Sequence, residues 1–71
     1  MIDEIRTQLE RTPFVPFSVR TSDGHEYLVP TVGHAYITPR GNRVIVTDDK
    51  GTVAILGPLH INSVIEQSNG A

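Results

Sequence analysis

Residues 13–30, PFVPFSVRTSDGHEYLVP, constrain the fold more than any other stretch of this chain. Apolar and polar side chains alternate on both sides of an Asp-Gly pair, and a period of two is typical of half-buried β-strands. An Asp-Gly pair between two such segments predicts a β-hairpin. We expect a loop of three residues, Ser22–Gly24, in which Gly24 takes the left-handed conformation that glycine adopts without steric cost.

The length of this loop determines which residues of the two strands face each other. A loop of three residues places Val19 opposite Tyr27 and Phe17 opposite Val29. A two-residue Asp-Gly turn is the alternative, and it places Val19 opposite Leu28. The difference matters because a shift of one residue moves each side chain to the other face of the sheet.

Residues 2–11, upstream of the hairpin, predict a short helix. Ile2, Ile5 and Leu9 recur at the spacing of one helix face. The helix ends before Pro13, because a residue that precedes proline is disfavoured in the α conformation. A helix of about ten residues is not stable alone in water. We therefore expect its apolar face to pack on the sheet or on a neighbouring subunit.

Downstream of the hairpin, short apolar segments alternate with clusters of Gly, Pro, Asn and Asp. Such clusters are typical of tight turns, and the segments between them have the length of strands. The predicted elements are a helix at about 2–11, strands at about 17–22, 25–30, 35–38, 43–47, 52–56 and 60–66, and a frayed tail at 67–71.

The hairpin predicted over 43–47 and 52–56 is apolar on both faces. With a loop of four residues, 48–51, Val46 lies opposite Val53 on one face. The other face then carries Ile45, Ala54 and Leu56. A sheet with one solvated face would be polar there, so we expect both faces to be covered, by barrel closure, by the helix or by another subunit.

The chain has 71 residues and contains neither cysteine nor tryptophan, so no disulfide or thiolate–metal site stabilises it. We expect a single domain over residues 1–71 with a mainly β fold. The predicted architecture is a small, strongly bent antiparallel barrel of about five strands with an N-terminal helix, because an open sheet this short leaves its edges exposed. A core this small also favours assembly into a homo-oligomer.

The distribution of charge and of apolar residues narrows the list of partners. The N-terminus lacks the apolar run of a signal peptide, and no apolar run approaches the ~20 residues that span a bilayer. We therefore expect a cytoplasmic protein without membrane contact. The formal net charge is −2, from 6 basic and 8 acidic residues without a block of like charge. This balance argues against non-specific DNA binding, which depends on many phosphate contacts.

No pattern in the sequence predicts catalysis. The spacing of His25, His34 and His60 matches no metal-ligand motif, and we expect neither a metal nor a cofactor. Asp48 and Asp49 are adjacent, which suggests a weak cation site, but aspartate is also typical of turns. No serine lies in a nucleophile elbow, and the glycines are too isolated to form a phosphate-binding loop. The sequence therefore assigns no catalytic residue, and we expect no enzyme.

Three arginines are the cations that suit a binding role: Arg20, Arg40 and Arg43. Arg40 lies in the predicted turn between the third and fourth strands, and Arg43 follows it closely. Together they are suited to bind a phosphate or a protein carboxylate. The alternative is a solvated turn whose charges discourage edge-to-edge pairing of strands.

Two stretches resemble the Sm-like fold, whose bacterial members are Hfq-type RNA chaperones. Residues 19–24, VRTSDG, are similar to the family's signature in the first hairpin, and residues 59–65, LHINSVI, are similar to its closing segment. The resemblance implies a ring-forming small barrel that binds RNA. Since Leu59 stands where the bacterial proteins have lysine, the implied RNA contacts carry over to His60 and Asn62.

The chain is also similar to short bacterial proteins with a helix, a PFxPF segment and an Asp-Gly hairpin, and to other SH3-like barrels; neither likeness implies a function. Three functional hypotheses remain open. The first is an oligomeric RNA-binding module that would contact RNA through His60, Asn62, Arg40 and Arg43. The second is a protein-interaction adaptor that uses an exposed sheet edge. The third is an oligomer that binds a small molecule at its subunit junctions.

Overall fold

The computed structural model describes residues 2–67, which form one α-helix and six strands. The elements are α1 (Ile2–Glu10), β1 (Phe17–Thr21), β2 (Glu26–Val29), β3 (Ala35–Ile37), β4 (Val44–Thr47), β5 (Val53–Leu56) and β6 (Ile61–Glu66). Short 3-10 turns at Val32–His34 and Pro58–His60 precede β3 and β6. The helix and all six predicted strands are confirmed to within one residue at each end. The predicted tail at 67–71 lies, apart from Gln67, outside the described residues.

The six strands form two antiparallel sheets with three strands each. The first sheet has the order β2-β1-β6 and the second has the order β3-β4-β5. The chain crosses from the first sheet to the second at the turn Val32–His34 and returns at the turn Pro58–His60. A mainly β fold with an N-terminal helix is therefore confirmed, whereas barrel closure is not, because no strand pairing joins the two sheets within residues 2–67.

The first hairpin has the predicted loop and the predicted register. Val19 faces Tyr27 and Phe17 faces Val29. The Thr21 N–H donates to the His25 carbonyl at 2.9 Å, and Gly24 has a φ of +90°. A side chain is strained at this φ, so glycine is what allows the loop to close after three residues.

The core lies between the inner faces of the two sheets and beneath α1. Phe17, Val19 and Val29 of the first sheet and Val44 of the second are fully buried. Ile5 of α1 is fully buried against them. The helix is also fixed at its end, because Arg11 forms an ion pair with the Glu66 carboxylate on β6. The expectation that the helix packs on the sheet is thereby confirmed.

The register predicted for the second hairpin is wrong by one residue. Val46 faces Ala54 instead of Val53, and the loop has three residues instead of four. The reason is Asp48, which belongs to the ladder: its N–H donates to the Thr52 carbonyl at 3.2 Å. The Asp48 carboxylate in turn accepts the N–H groups of Lys50 and Thr52, both at 2.9 Å. Aspartate is typical of turns, so the sequence alone places Asp48 in the loop instead of the ladder.

The corrected register changes the members of the two faces. The inner face carries Ala54 and three buried residues: Val44, Val46 and Leu56. The outer face carries Tyr36, Ile45 and Ile55 in one row across the three strands, with Val53 beside them. The second face is apolar, as expected, but Tyr36, Val53 and Ile55 are exposed among the described residues.

Neighbouring substitutions in β5 test this register. Leu56→Ala removes a buried side chain, and we expect it to lower the free energy of unfolding by about 2–5 kcal/mol. Ile55→Ala truncates an exposed side chain, and we expect a loss below about 1 kcal/mol. Urea unfolding at a concentration where the chain is monomeric measures both values. Equal losses, or a larger loss at Ile55, would contradict the register.

Candidate functional site

The side chains of His60 and Arg43 both lie against Gly57. The position that a Cβ atom would take on Gly57 is 3.7 Å from His60 Cδ2 and 3.8 Å from Arg43 Cζ. The concavity around them is completed by Ile55, Pro58 and Leu59, of which Leu59 is almost fully exposed. We call this concavity, formed by residues 55 and 57–60 together with Arg43, the Gly57 corner. It places an imidazole and a guanidinium beside apolar surface.

The backbone of the 3-10 turn explains why His60 lies at this corner. Pro58 is the first residue of the turn, where its missing N–H costs no hydrogen bond. The His60 N–H donates to the Gly57 carbonyl at 3.0 Å, and the His60 carbonyl accepts the Ser22 N–H at 2.8 Å. The backbone of His60 therefore fastens the closing segment to the loop of the first hairpin, while its side chain remains exposed.

The other two predicted contacts lie elsewhere. Arg40 is exposed in the turn before β4 and has no hydrogen bond or ion pair with any described residue. Asn62 is the extra residue of a β-bulge, because Arg20 faces Ser63 while Thr21 faces Ile61. Neither Arg40 nor Asn62 is linked by a hydrogen bond or ion pair to the Gly57 corner. The structure thus brings together two of the four residues predicted for the site.

A second concavity of about 420 Å³, the inter-sheet cleft, separates β2 from the β4–β5 hairpin. Its walls are mainly apolar, and polar groups gather at the hairpin end. The residues that line it are Glu26–Leu28, Pro30, His34, Val46–Lys50, Thr52 and Ala54. No motif in the sequence indicated this cleft, because its walls come from strands of different sheets.

His34 connects the crossover between the sheets to the loop of the second hairpin. Its Nε2 lies 2.8 Å from Asp49 Oδ1, and its Nδ1 lies 2.7 Å from Thr31 Oγ1. Its side chain is 17% exposed. The Thr31 hydroxyl accepts the Gly33 N–H at 3.2 Å and so caps the 3-10 turn. The three side chains therefore link the crossover to the second hairpin loop at the end of the cleft. The Thr-x-x-His spacing around a turn is the one feature of the sequence that indicates this contact.

Three carboxylates in the two hairpins have lowered pKa values. Hydrogen bonds from the Arg20 side chain lower the pKa of Glu26, and backbone N–H groups, Thr52 first, lower the pKa of Asp48. The Thr21 hydroxyl and the His25 backbone N–H lower the pKa of Asp23 to about 2. These three carboxylates are therefore ionised at neutral pH, and Glu26 is ion-paired with Arg20.

Within residues 2–67, no group of three or more histidine, aspartate or glutamate side chains is placed to hold a metal ion. The same residues contain no helix that is long and apolar enough to cross a membrane. Comparison with protein-family models, with curated proteins and with solved structures finds no match for this chain. Function is therefore inferred from the geometry of the chain itself.

The Asp23 carboxylate gives the first loop a defined pH dependence. Its folded pKa of about 2 lies below the ordinary value of 3.8. A depressed folded pKa means that its contribution to stability is present above about pH 4 and is lost as the pH falls towards 2. We expect Asp23→Asn to remove this part of the acid dependence while the rest of the profile remains.

The measurement is an NMR titration of the Asp23 side-chain carboxyl carbon, with urea midpoints of both proteins between pH 2 and pH 6. A titration midpoint near 3.8, or identical acid profiles for the two proteins, would contradict the role of these hydrogen bonds.

Proposed function

We propose that this chain is a non-enzymatic binding module that assembles into a homo-oligomer through the open edge of β5. The observation that carries the proposal is that Val53 and Ile55 combine exposed apolar side chains with backbone groups that have no strand partner within residues 2–67.

The backbone of β5 alternates between the β4 side and the open side. The Asp48 N–H donates to the Thr52 carbonyl, which makes that pair a hydrogen-bonded pair of the antiparallel ladder. Because hydrogen-bonded and non-hydrogen-bonded pairs alternate, Ala54 is bonded to β4 and Val53 and Ile55 are not. The N–H and C=O groups of Val53 and Ile55 therefore point to the open edge of the second sheet.

This edge lacks the usual features that prevent pairing with another chain. β5 has the sequence VAIL, without proline or charge, although lysine, proline and bulges are what protect edge strands. Val53 is 58% exposed and Ile55 is 67% exposed. Burying an aliphatic side chain of this size contributes roughly 1.5–3 kcal/mol, so a second copy that pairs at β5 also covers part of the outer face.

The finer form of the proposal follows the resemblance to Sm-like proteins. Pairing of β5 with β6 of the next copy would be head-to-tail, and head-to-tail contacts that close produce a ring. In such a ring, the pairing of β5 with β6 would join the sheets of neighbouring copies into one continuous, barrel-like sheet. Pairing of β5 with β5 of one other copy would instead produce a two-fold dimer.

RNA is a second proposal, and the Gly57 corner is the observation that favours it. Arg43 and His60 present a guanidinium and an imidazole next to each other, and both groups are suited to phosphate and base contacts. The net charge of −2 weakens general attraction to nucleic acid. We therefore propose that RNA binds at this local site in the assembled form.

The first test is the native mass of Val53→Pro. Proline at residue 53 removes an N–H that points to the open edge, so it costs no hydrogen bond to β4. We expect the unmodified chain to have the mass of an oligomer by light scattering and Val53→Pro to have the mass of a 7.8 kDa monomer. Leu28→Pro, at the open edge of β2, is the matched control and should keep the mass of the unmodified chain.

A monomeric unmodified chain at the highest soluble concentration would overturn the assembly proposal. Equal loss of mass in both proline variants would contradict the choice of β5.

The second test measures binding to short poly(A) and poly(U) at low and high salt. We expect Arg43→Ala and His60→Ala to weaken binding about tenfold, since a hydrogen bond to a charged group contributes roughly 1.5–3 kcal/mol. Arg40→Ala, which removes an exposed arginine outside the Gly57 corner, is the control and should bind like the unmodified chain. Absence of binding at low salt would exclude the RNA proposal.

A further inference from the structure

The open edge of β2 borders the inter-sheet cleft. The Thr21 N–H donates to the His25 carbonyl at 2.9 Å, so Thr21 and His25 are a hydrogen-bonded pair. By alternation along the ladder, Tyr27 is bonded to β1, whereas Glu26 and Leu28 turn their N–H and C=O groups away from it. β2 is the outermost strand of its sheet. These backbone groups therefore face the cleft side without a strand partner among the described residues.

The volume and the apolar lining of the cleft are suited to bind the side chains of a peptide. Its volume of about 420 Å³ lies in the range of ligand sites, roughly 300–1,000 Å³. Tyr27 and Pro30 form one wall, and Val46 and Ala54 form the opposite wall. An extended strand laid along β2 would turn every second side chain towards this apolar space.

The rim of the cleft is anionic. Glu26, Asp48 and Asp49 contribute three carboxylates against the ammonium group of Lys50 and the guanidinium of Arg20, which is ion-paired with Glu26 at 2.9 Å. Asp49 is the carboxylate most available to a ligand, because its side chain is 91% exposed and only one of its oxygens is bonded to a described residue, His34. The remaining negative charge favours basic groups on a ligand and repels the phosphates of a nucleic acid.

We propose that the open edge of β2 and the inter-sheet cleft bind an extended protein segment in which apolar and basic residues alternate. The segment adds as a strand to β2 through the backbone of Glu26 and Leu28, its apolar side chains enter the cleft, and its basic side chains lie near the carboxylates. Main-chain hydrogen bonds supply affinity in this mode, and the pockets for alternate side chains supply specificity. The site includes Ala54 of β5 but not the open-edge residues Val53 and Ile55, so it does not depend on self-association.

The probe is a blocked, fluorescently labelled hexapeptide of alternating valine and lysine, and its matched control alternates valine and glutamate. We expect the lysine peptide to bind at least tenfold more tightly by fluorescence anisotropy. Binding should slow the amide hydrogen exchange of Glu26 and Leu28, while Tyr27, already bonded to β1, changes little. Equal affinity for the two peptides, or unchanged exchange at Glu26 and Leu28, would overturn the proposal.

Two variants separate this site from the β5 edge. Leu28→Pro removes one open-edge N–H and should abolish binding of the lysine peptide, whereas Val53→Pro should bind it like the unmodified chain. Asp49→Asn keeps a side-chain oxygen that can bond to His34 but removes the negative charge, so it should weaken binding of the lysine peptide several-fold. This variant tests the site even if Leu28→Pro does not fold. Full binding by Asp49→Asn, or by a folded Leu28→Pro, would overturn the proposal; competition by short poly(U) would assign the cleft to nucleic acid instead.

Discussion

Apolar contact between the inner faces of the two sheets is the interaction on which the rest of this structure depends. The sheets share no strand pairing within residues 2–67, and the chain has no cysteine to join them. Phe17 and Val19 from β1 must therefore pack directly on Val44 and Val46 from β4, with Ile5 of the helix closing the core. Since single core truncations cost about 2–5 kcal/mol, and a domain this small has little stability in reserve, each of these contacts matters.

The same division into two sheets leaves strand edges whose chemistry differs. The open edge of β5 carries Val53 and Ile55 and continues into an apolar outer face, which suits a second copy of the chain. The open edge of β2 borders a cleft with an anionic rim, which suits a basic strand. The Gly57 corner adds Arg43 and His60 near the end of β5. The described residues thus present three surfaces for which binding is proposed.

Local sequence patterns predict the helix and the strands, but they do not predict contacts between residues that are distant in the sequence. The first hairpin followed from alternation and from Gly24, because loop length and register are both local properties. The second register failed because Asp48 looks like a turn residue, yet its N–H bonds to Thr52. The His34–Asp49 contact joins residues 15 positions apart in two different connections, and no periodicity encodes such a contact. The meeting of Arg43 and His60 beside Gly57 likewise required the topology.

Amide hydrogen exchange of the unmodified chain at several concentrations tests the central claim, that Val53 and Ile55 form the assembly edge. We expect the amides of Ala54 and Leu56, which are bonded to β4, to be protected at every concentration. We expect the amides of Val53 and Ile55 to exchange rapidly in dilute solution and to become protected as the concentration rises. Protection of Val53 and Ile55 that does not change with concentration would contradict assembly at this edge.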